Sequence, residues 1–267
     1  MLSDQDVRAA AQQLETAEQE RRQVRSMSLQ YPGMDVADAY AVQTAWMNLK
    51  RSQGRRVIGR KVGLTSRAMQ QAMQINEPDF GVLLDNMLFA DGADIEADRF
   101  TDLRMEVELA FVLGTALTGT DVNATDVLAA TRYVVPAVEL IAARTFRIDP
   151  QTNRPRGVVD TIADNAASAG IVLGGRPVPP DAVDLRWVGA LLWKNGVIEE
   201  SGVAAAVMNH PANAVAWLAN RFGSLGERLD AGEIILSGSF TRPIAVAAGD
   251  IVQVDFGALG SLGCRFV

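Results

Sequence analysis

The stretch Arg104–Leu113 constrains the fold more than any other part of the chain. Side chains on a β-strand point to alternate faces, so the apolar residues at 105, 107, 109, 111 and 113 predict one face that packs in a core. Glu106 and Glu108 then share the opposite face, which continues with Ala110 and Val112. The pattern therefore predicts a strand that carries two carboxylates where a core begins.

A third carboxylate, Glu139, lies inside the apolar run 134–141. Ionised carboxylates are costly in apolar surroundings unless they are paired or bind a cation. If Glu106, Glu108 and Glu139 converge, they form an all-oxygen site for a hard ion such as Mg²⁺ or Mn²⁺. The alternative is that Glu-x-Glu marks a solvated strand face. Glu139 favours the metal site, because an apolar run needs no carboxylate for solubility.

Composition argues against several classes of function. The chain has 267 residues, of which 48% are hydrophobic and 21% charged, as in globular proteins with a sizeable core. The net charge of −7 argues against nucleic acid or an anionic membrane surface as a partner. The sequence contains no run of about eighteen consecutive apolar residues, so it predicts no membrane span.

The single histidine and the single cysteine narrow the chemistry further. With only His210 and Cys264 available, zinc sites and Ser-His-Asp or Cys-His catalysis are disfavoured, although a lone His-Cys pair stays open. One cysteine cannot form an internal disulfide, and the polar N-terminus lacks the apolar core of a signal peptide. These features predict a cytoplasmic protein.

The N-terminal part of the chain predicts two helices. The first spans residues 3 to about 26, with Ser3 and Asp6 in the spacing of a capping box. The second begins at Asp35 and stops at Gly54. We therefore predict an α+β fold, with a small helical or mixed N-terminal domain over residues 1–75 and a β-rich catalytic domain over residues 76–267.

Residues 57–64 predict a strand on which Lys61 shares a face with Gly59 and Gly63. Positions without a side chain leave room for a ligand beside the lysine. The alternative is a surface lysine on an edge strand that the glycines weaken. The residues alone do not decide between the two interpretations.

Three further segments carry polar groups that a site could use. Asp79 lies in the predicted turn 77–81, although most such turns only reverse the chain. The stretch 144–156 carries four arginines without periodicity, which predicts either a binding loop or a solvated connection. The small-residue loop 237–241, with Ser239 at its centre, is able to offer backbone N–H groups to an anion.

The C-terminal third predicts mainly strands. The pair Asn195-Gly196 between two alternating runs predicts a hairpin with a type I′ turn. Pro211 begins a helix, and the preceding His210 is interpreted as a cap or core residue rather than as a catalytic group.

Six short motifs together resemble the hydratase/decarboxylase branch of the fumarylacetoacetate hydrolase superfamily. They are Lys61-Val62-Gly63-Leu64-Thr65-Ser66, Glu106-Val107-Glu108, Pro136-Ala137-Val138-Glu139, Asp164-Asn165-Ala166, Ser237-Gly238-Ser239 and Gly260-Ser261. The similarity covers essentially the whole chain. The stretches 149–156 and 210–220 favour the members that act on a seven-carbon diacid. One departure is Ala167, where some pentadienoate hydratases of the branch carry serine.

The resemblance implies metal-dependent addition of water to an unsaturated 2-oxo diacid, in the breakdown of aromatic compounds such as 4-hydroxyphenylacetate. It places Mg²⁺ or Mn²⁺ on Glu106, Glu108 and Glu139. It makes Lys61 and Asp79 the catalytic residues, with Lys61 also binding the substrate. It further implies a fumarylacetoacetate-hydrolase-like catalytic domain, and a large homo-oligomer of ten subunits.

A diacid also carries a distal carboxylate that a metal bound to the other end cannot reach. Arginine suits such a group, because its planar fork can bind a carboxylate through two hydrogen bonds. We expect Arg154 or Arg156 to take this role, ahead of Arg144 and Arg147, and Ser239 to contact the substrate.

Two alternatives stay open within the superfamily, namely hydration of a five-carbon dienoate and decarboxylation of a 2-oxo-3-enedioate. Both use the same stabilised enolate. A third alternative, from another class, is a non-catalytic partner that assembles with such a decarboxylase. That role would require a degraded site, whereas Lys61, Asp79 and the three glutamates are all present.

Overall fold

The structure is a computed structural model that describes residues 1–73 and 75–267. Its helices are α1 (Asp4–Gln19), α2 (Met27–Gln30), α3 (Val36–Ser52), α4 (Arg67–Ala72), α5 (Ala124–Ala130), α6 (Val158–Ala163) and α7 (Pro211–Ser224). Its strands are β1 (Val57–Gly63), β2 (Asp79–Leu84), β3 (Leu88–Phe89), β4 (Asp94–Ile95), β5 (Arg104–Leu113), β6 (Thr131–Ile141), β7 (Ser168–Leu173), β8 (Gly189–Lys194), β9 (Val197–Val203), β10 (Ile234–Leu236), β11 (Ile244–Ala245), β12 (Ile251–Asp255) and β13 (Ser261–Phe266). None of the described helices is both long and apolar enough to cross a membrane.

The N-terminal helices pack around a hydrophobic core of their own, which includes Leu14, Trp46 and, from α6, Ile162. A capping box at Ser3 begins α1, as the sequence predicts. The second helix, α3, begins after Asp35 as predicted, and the structure shows a capping box there too. The predicted extent of the first helix is wrong, because the chain leaves α1 at its C-cap Glu20 and forms the separate short helix α2.

Among the described residues, eight strands form one sheet in the order β2-β1-β10-β5-β6-β7-β3, with β11 paired to β5. Strand β10 comes from the C-terminal part of the chain, yet it lies between β1, to which it is parallel, and β5, to which it is antiparallel. Strands separated in sequence thereby become neighbours, and the motifs on β1, β2, β5 and β6 come to lie in one sheet.

The second sheet has the order β4-β13-β12-β8-β9. Its strands share a hydrophobic core with the first sheet, to which β5 contributes Val107 and Phe111, and β12 contributes Val252 and Val254. The hairpin predicted at Asn195-Gly196 joins β8 to β9, and both turn residues have positive φ, as a type I′ turn requires. The α+β fold class is therefore confirmed. The division after residue 75 stays a proposal, and β1, on its N-terminal side, is hydrogen-bonded into the large sheet.

His210 caps α7, since its Nδ1 accepts a hydrogen bond from the backbone N–H of Ala212 at 3.0 Å. This agrees with the interpretation of His210 as a cap.

A turn with unusual backbone conformation connects α6 to β7. Asn165, Ala166 and Ala167 have φ of 53°, 50° and 59°, so three successive non-glycine residues lie in the left-handed region. The side chain of Asn165 holds the turn against β2 through two hydrogen bonds to Val82. Its Oδ1 accepts from the backbone N–H of Val82 (2.8 Å), and its Nδ2 donates to the carbonyl of Val82 (2.9 Å). The turn therefore fixes the strand that begins at Asp79.

Replacing Asn165 by alanine should lower the free energy of unfolding by about 2–4 kcal/mol, because both backbone groups of Val82 lose their partner and alanine tolerates positive φ poorly. Asn153→Ala is the matched control, since Asn153 is exposed with φ of 56°. It should cost about 1 kcal/mol. Urea denaturation of the two variants gives the comparison, and equal losses would show that the contact with Val82 adds nothing.

Candidate active site

The register of β5 against β6 brings the three glutamates together. Glu106 lies directly opposite Glu139, and Glu108 follows on the same face of β5. One carboxylate oxygen from each residue lies within 4.8 Å of the other two. The sequence alone supplied Glu106 and Glu108 on one face, and the strand pairing supplies the third carboxylate.

Glu108 and Glu139 are buried and Glu106 is partly buried, and the three carboxylates carry more charge than their neighbours balance. Glu108 accepts a hydrogen bond from the backbone N–H of Gly238 at 2.8 Å. Glu139 is fully buried, and neither of its oxygens accepts a hydrogen bond from residues 1–73 or 75–267. Lys61 approaches it, with Nζ 3.3 Å from Oε2. One ammonium group thus faces three carboxylates.

The electrostatics of the cluster disfavour three free charges. Burial and then the charge of Glu139 raise the pKa of Glu106 to about 7, and the same two causes raise the pKa of Glu108 well above its usual value. Burial also raises the pKa of Glu139, although Lys61 opposes this. Burial alone would lower the pKa of Lys61, but the carboxylates, Glu139 foremost, outweigh it and the pKa rises. An all-oxygen donor set with two unbonded oxygens therefore fits a hard divalent cation.

The sequence predicts that Asp79 lies in a turn, and this is wrong. Asp79 is the first residue of β2 and pairs with Gly63 of β1. This register puts Asp79 on the same face of the sheet as Lys61. Asp79 is 1% exposed, and no described residue donates a hydrogen bond to either carboxylate oxygen. Burial raises the pKa of Asp79, despite the opposing charges of Lys61 and Arg156.

The two glycines that flank Lys61 have different reasons to be glycine. A Cβ at Gly63 would lie 2.2 Å from Oδ1 of Asp79 and 3.1 Å from Nζ of Lys61, so its absence makes room for both side chains. A Cβ at Gly59 would lie 1.9 Å from the carbonyl oxygen of Ile234, so Gly59 permits the pairing of β1 with β10. The space beside Gly63 is therefore used by side chains of the site, whereas the space beside Gly59 is needed for strand pairing.

A cavity of about 710 Å³ opens onto this face of the sheet. The charged side chains in its wall are those of Lys61, Asp79, Glu106, Arg147, Arg156, Glu200 and Arg242. Its apolar wall includes Leu64, Met69, Ile141, Ala166, Ala167, Phe240 and Pro243. A cavity that combines an acidic centre, cationic groups and apolar walls suits a small, partly apolar anion.

The predicted arginines of the stretch 144–156 fall into different environments. Arg156 and Arg147 line the cavity. Arg154 is exposed and is not part of the cavity wall, so its role stays a prediction from the sequence. Arg144 is buried against Asp164, with Nε 2.5 Å from Oδ1.

Ser239 also lines the cavity, but its hydroxyl lies within hydrogen-bond distance of two backbone carbonyls, Val107 at 3.2 Å and Thr241 at 2.9 Å. The N–H groups on either side of Ser239 are engaged as well, because Gly238 donates to the Glu108 carboxylate and Phe240 donates to the carbonyl of Val107. This loop therefore holds β5 and one of the three carboxylates in place.

Sequence reasoning missed the role of Asp164, which is fully buried and accepts hydrogen bonds from both the side chain and the backbone N–H of Arg144. The signal that marked Glu139, an acid next to apolar residues, is also present here, since Asp164 follows Ile162 and Ala163. The sequence ranks Arg147 behind Arg154 and Arg156, because nothing local shows which arginine of a loop points inward.

Comparison with known proteins gives consistent similarities. The family described as fumarylacetoacetate (FAA) hydrolase C-terminal matches residues 50–267. The 2-oxo-hept-4-ene-1,7-dioate hydratase of Escherichia coli is 58% identical over 257 residues, which cover 96% of each chain. The 2-keto-4-pentenoate hydratase of Paraburkholderia xenovorans (strain LB400) is 39% identical over 265 residues, which cover 99% of this chain and 96% of the relative.

A solved structure is similar over the same length. The 4-oxalocrotonate decarboxylase from Pseudomonas putida G7, complexed with magnesium and adipate, superposes with a TM-score of 0.95 and 35% identity, covering 100% of this chain and 99% of that one. That protein binds both a divalent cation and a diacid.

Mg²⁺ or Mn²⁺ should raise the melting temperature of metal-stripped protein by about 5–10 °C at a hundredfold excess over Kd, because the ion binds only the folded cluster. Glu106→Gln should fold but lose most of this response. Glu96→Gln, at an exposed glutamate, should keep it. Differential scanning calorimetry gives the comparison, and identical melting with chelator and with Mg²⁺ would contradict the metal site.

Proposed function

The chain belongs to the fumarylacetoacetate hydrolase family, and on this basis we propose that it adds water to 2-oxohept-4-ene-1,7-dioate. The product is 4-hydroxy-2-oxoheptane-1,7-dioate, and the step belongs to the breakdown of aromatic compounds. The observation that carries the proposal is the 58% identity, over 96% of both chains, to a hydratase of this substrate. The cluster of three glutamates and the cavity beside it support the proposal.

Glu106, Glu108 and Glu139 are the residues that would hold the cation, Mg²⁺ or Mn²⁺. Such an ion, when bound, supplies Lewis acidity toward the C1 carboxylate and the C2 oxygen of the substrate. The fully buried position of Glu139 keeps water away from its carboxylate, and the hydrogen bond from Gly238 orients Glu108.

Lys61 stabilises the negative charge that develops on the C2 oxygen. Its ammonium group is buried, is directed toward Glu139, and lies in the cavity wall. The neighbouring carboxylates keep it protonated, because they raise its pKa. A fixed positive charge in a site with little water acts more strongly than the same charge in solvent.

Asp79 moves the protons. Burial raises its pKa despite the opposing charges of Lys61 and Arg156, which makes the carboxyl easier to protonate than in water, and its neutral form can donate a proton to C5 of the substrate, whose 2-hydroxyl has been ionised to solvent. This transfer gives the conjugated 2-oxo-3-enoate, whose C4 is electrophilic. As water adds at C4, the Asp79 carboxylate accepts its proton, and C3 then takes a proton from solvent. One proton is released and one is taken up, so Asp79 ends in its starting form.

The proposed assembly is a homo-oligomer, with ten subunits as the resemblance implies. Large apolar side chains are exposed on and beside the second sheet, namely Trp187, Leu191, Val197, Ile198, Val203 and Ile251. Such a patch is typical of a surface that another copy covers. We also propose the cytoplasm as the compartment, because the one cysteine, Cys264, is a free thiol in a buried position.

Product analysis tests the proposed function against its alternatives. Mg²⁺-loaded protein with 2-hydroxyhepta-2,4-diene-1,7-dioate should yield the 4-hydroxy-2-oxo diacid, with one oxygen from H₂¹⁸O when labelled water is used. Release of CO₂ from a 2-oxo-3-enedioate, without hydration, would instead identify a decarboxylase like the P. putida relative. Formation of neither product would indicate a non-catalytic partner. Glu106→Gln gives the background rate.

Asp79→Asn should lower kcat by about a hundredfold or more, because an amide cannot donate or accept the transferred proton. The Mg²⁺-dependent rise in melting temperature should change little, since Asp79 is not one of the three clustered carboxylates. Glu77→Gln, two residues earlier and outside the cavity wall, is the control. If kcat holds and only KM rises, Asp79 orients the substrate and its assignment to proton transfer is wrong.

A further inference from the structure

The arginine-bearing stretch after β6 folds back on itself as a short antiparallel pair. The backbone N–H of Arg156 donates to the carbonyl of Arg147 at 2.9 Å, and Ile148 forms a β-bridge with Pro155. Arg147 and Arg156 are therefore directly opposite each other. Side chains in such a pair lie on the same side of the two strands, so both guanidinium groups reach the same cavity.

Hydrogen bonds within the protein hold the tip of this loop. Asp149 is fully buried and accepts hydrogen bonds from the N–H and the hydroxyl of Thr152, both at 2.8 Å. Its other oxygen accepts from Nε of Arg25 at 2.9 Å. The two arginines at the base of the loop are thus positioned before a substrate arrives, which lowers the entropic cost of binding.

Arg156 lacks a carboxylate of its own. Its nearest acid is Asp164, whose Oδ2 lies 3.7 Å from Nη1, but Asp164 is already paired with Arg144 through Oδ1 and through the backbone N–H. The side chain of Arg156 is 9% exposed. Its buried Nη1 has no hydrogen-bond partner within the described part of the chain. A buried guanidinium with an unbonded N–H favours an anion beside it.

The positive charge of Arg147 is also only partly balanced by neighbouring carboxylates. Its Nε pairs with Asp102, which Nε of Arg104 also approaches at 3.6 Å. Its Nη2 is buried and, among the residues that the structure covers, has no hydrogen-bond partner. Like charges directly opposite each other destabilise an antiparallel pair. An anion bound between Arg147 and Arg156 would remove this repulsion and satisfy both unbonded N–H groups.

We propose that Arg147 and Arg156 form a two-arginine clamp for the distal carboxylate of the substrate, and so select diacids over monocarboxylic acids. The inference rests on the proposed function for the substrate's second carboxylate. Arg147, Arg156 and Glu106, one of the three clustered glutamates, line the same cavity, so one molecule can reach both the clamp and the edge of the acidic cluster. Arg154, which the sequence favoured equally, is outside the cavity wall and has no part in the clamp.

Calorimetric titration of the Mg²⁺-loaded protein tests the clamp with two saturated probes that cannot be hydrated, 2-oxoheptanedioate and 2-oxoheptanoate. They differ only in the distal carboxylate. The wild-type protein should bind the diacid more tightly. Arg156→Met and Arg147→Met should each reduce the ratio of the two affinities by about ten- to a hundredfold, through weaker binding of the diacid. Arg156→Lys should restore part of the ratio, since lysine keeps the charge but not the planar fork.

Arg154→Met, on the same loop, should keep the wild-type ratio. Melting curves establish that each variant folds, and Arg156→Met should fold because Arg144 still balances Asp164. Equal weakening of both probes in the Arg147 and Arg156 variants would overturn the clamp, and so would a loss of the ratio in Arg154→Met alone. Since neither probe reacts, these results stand apart from the product assay, and a failure of the proposed hydratase reaction would be recognised separately.

Discussion

The pairing of Glu106 with Glu139 across β5 and β6 is the interaction on which the candidate active site depends. Two carboxylates directly opposite each other destabilise a sheet, and burial increases the cost. Lys61, which lies on β1, offsets part of the negative charge of these carboxylates, and a divalent cation would offset the remainder. The site is therefore built on the central strands of a sheet, where ligand positions are held more precisely than on loops.

The cavity beside the glutamates is also lined by a pair of positive charges, Arg147 and Arg156. The pair of carboxylates and the pair of guanidinium groups are each repulsive alone, and each becomes favourable when an ion of opposite charge binds between its members. A cation and a diacid together would satisfy both. The cavity is thus complementary in charge to a metal-bound diacid, and electrostatic complementarity of this kind gives specificity more than raw affinity.

The turn at Asp164–Ala167 links the two parts of the site. Asp164 holds Arg144 at the start of the arginine-bearing loop, while Asn165 holds Val82 on the strand that begins at Asp79. Three successive positive φ values store strain in this turn, which persists because the surrounding contacts fix it. Asp79 and the arginine-bearing loop are consequently positioned by one short segment.

The sequence by itself determined the features that depend on near neighbours. The two-residue period placed Glu106 and Glu108 on one face, the capping box at Ser3 began the first helix, and Asn195-Gly196 set a hairpin, because each of these needs only a few adjacent residues. Tertiary structure decided the rest. Glu139 met Glu106 through strand register, and Asp79 became a strand residue through pairing with Gly63. Which arginines face the cavity also depended on contacts between distant residues, and no local pattern encodes such contacts.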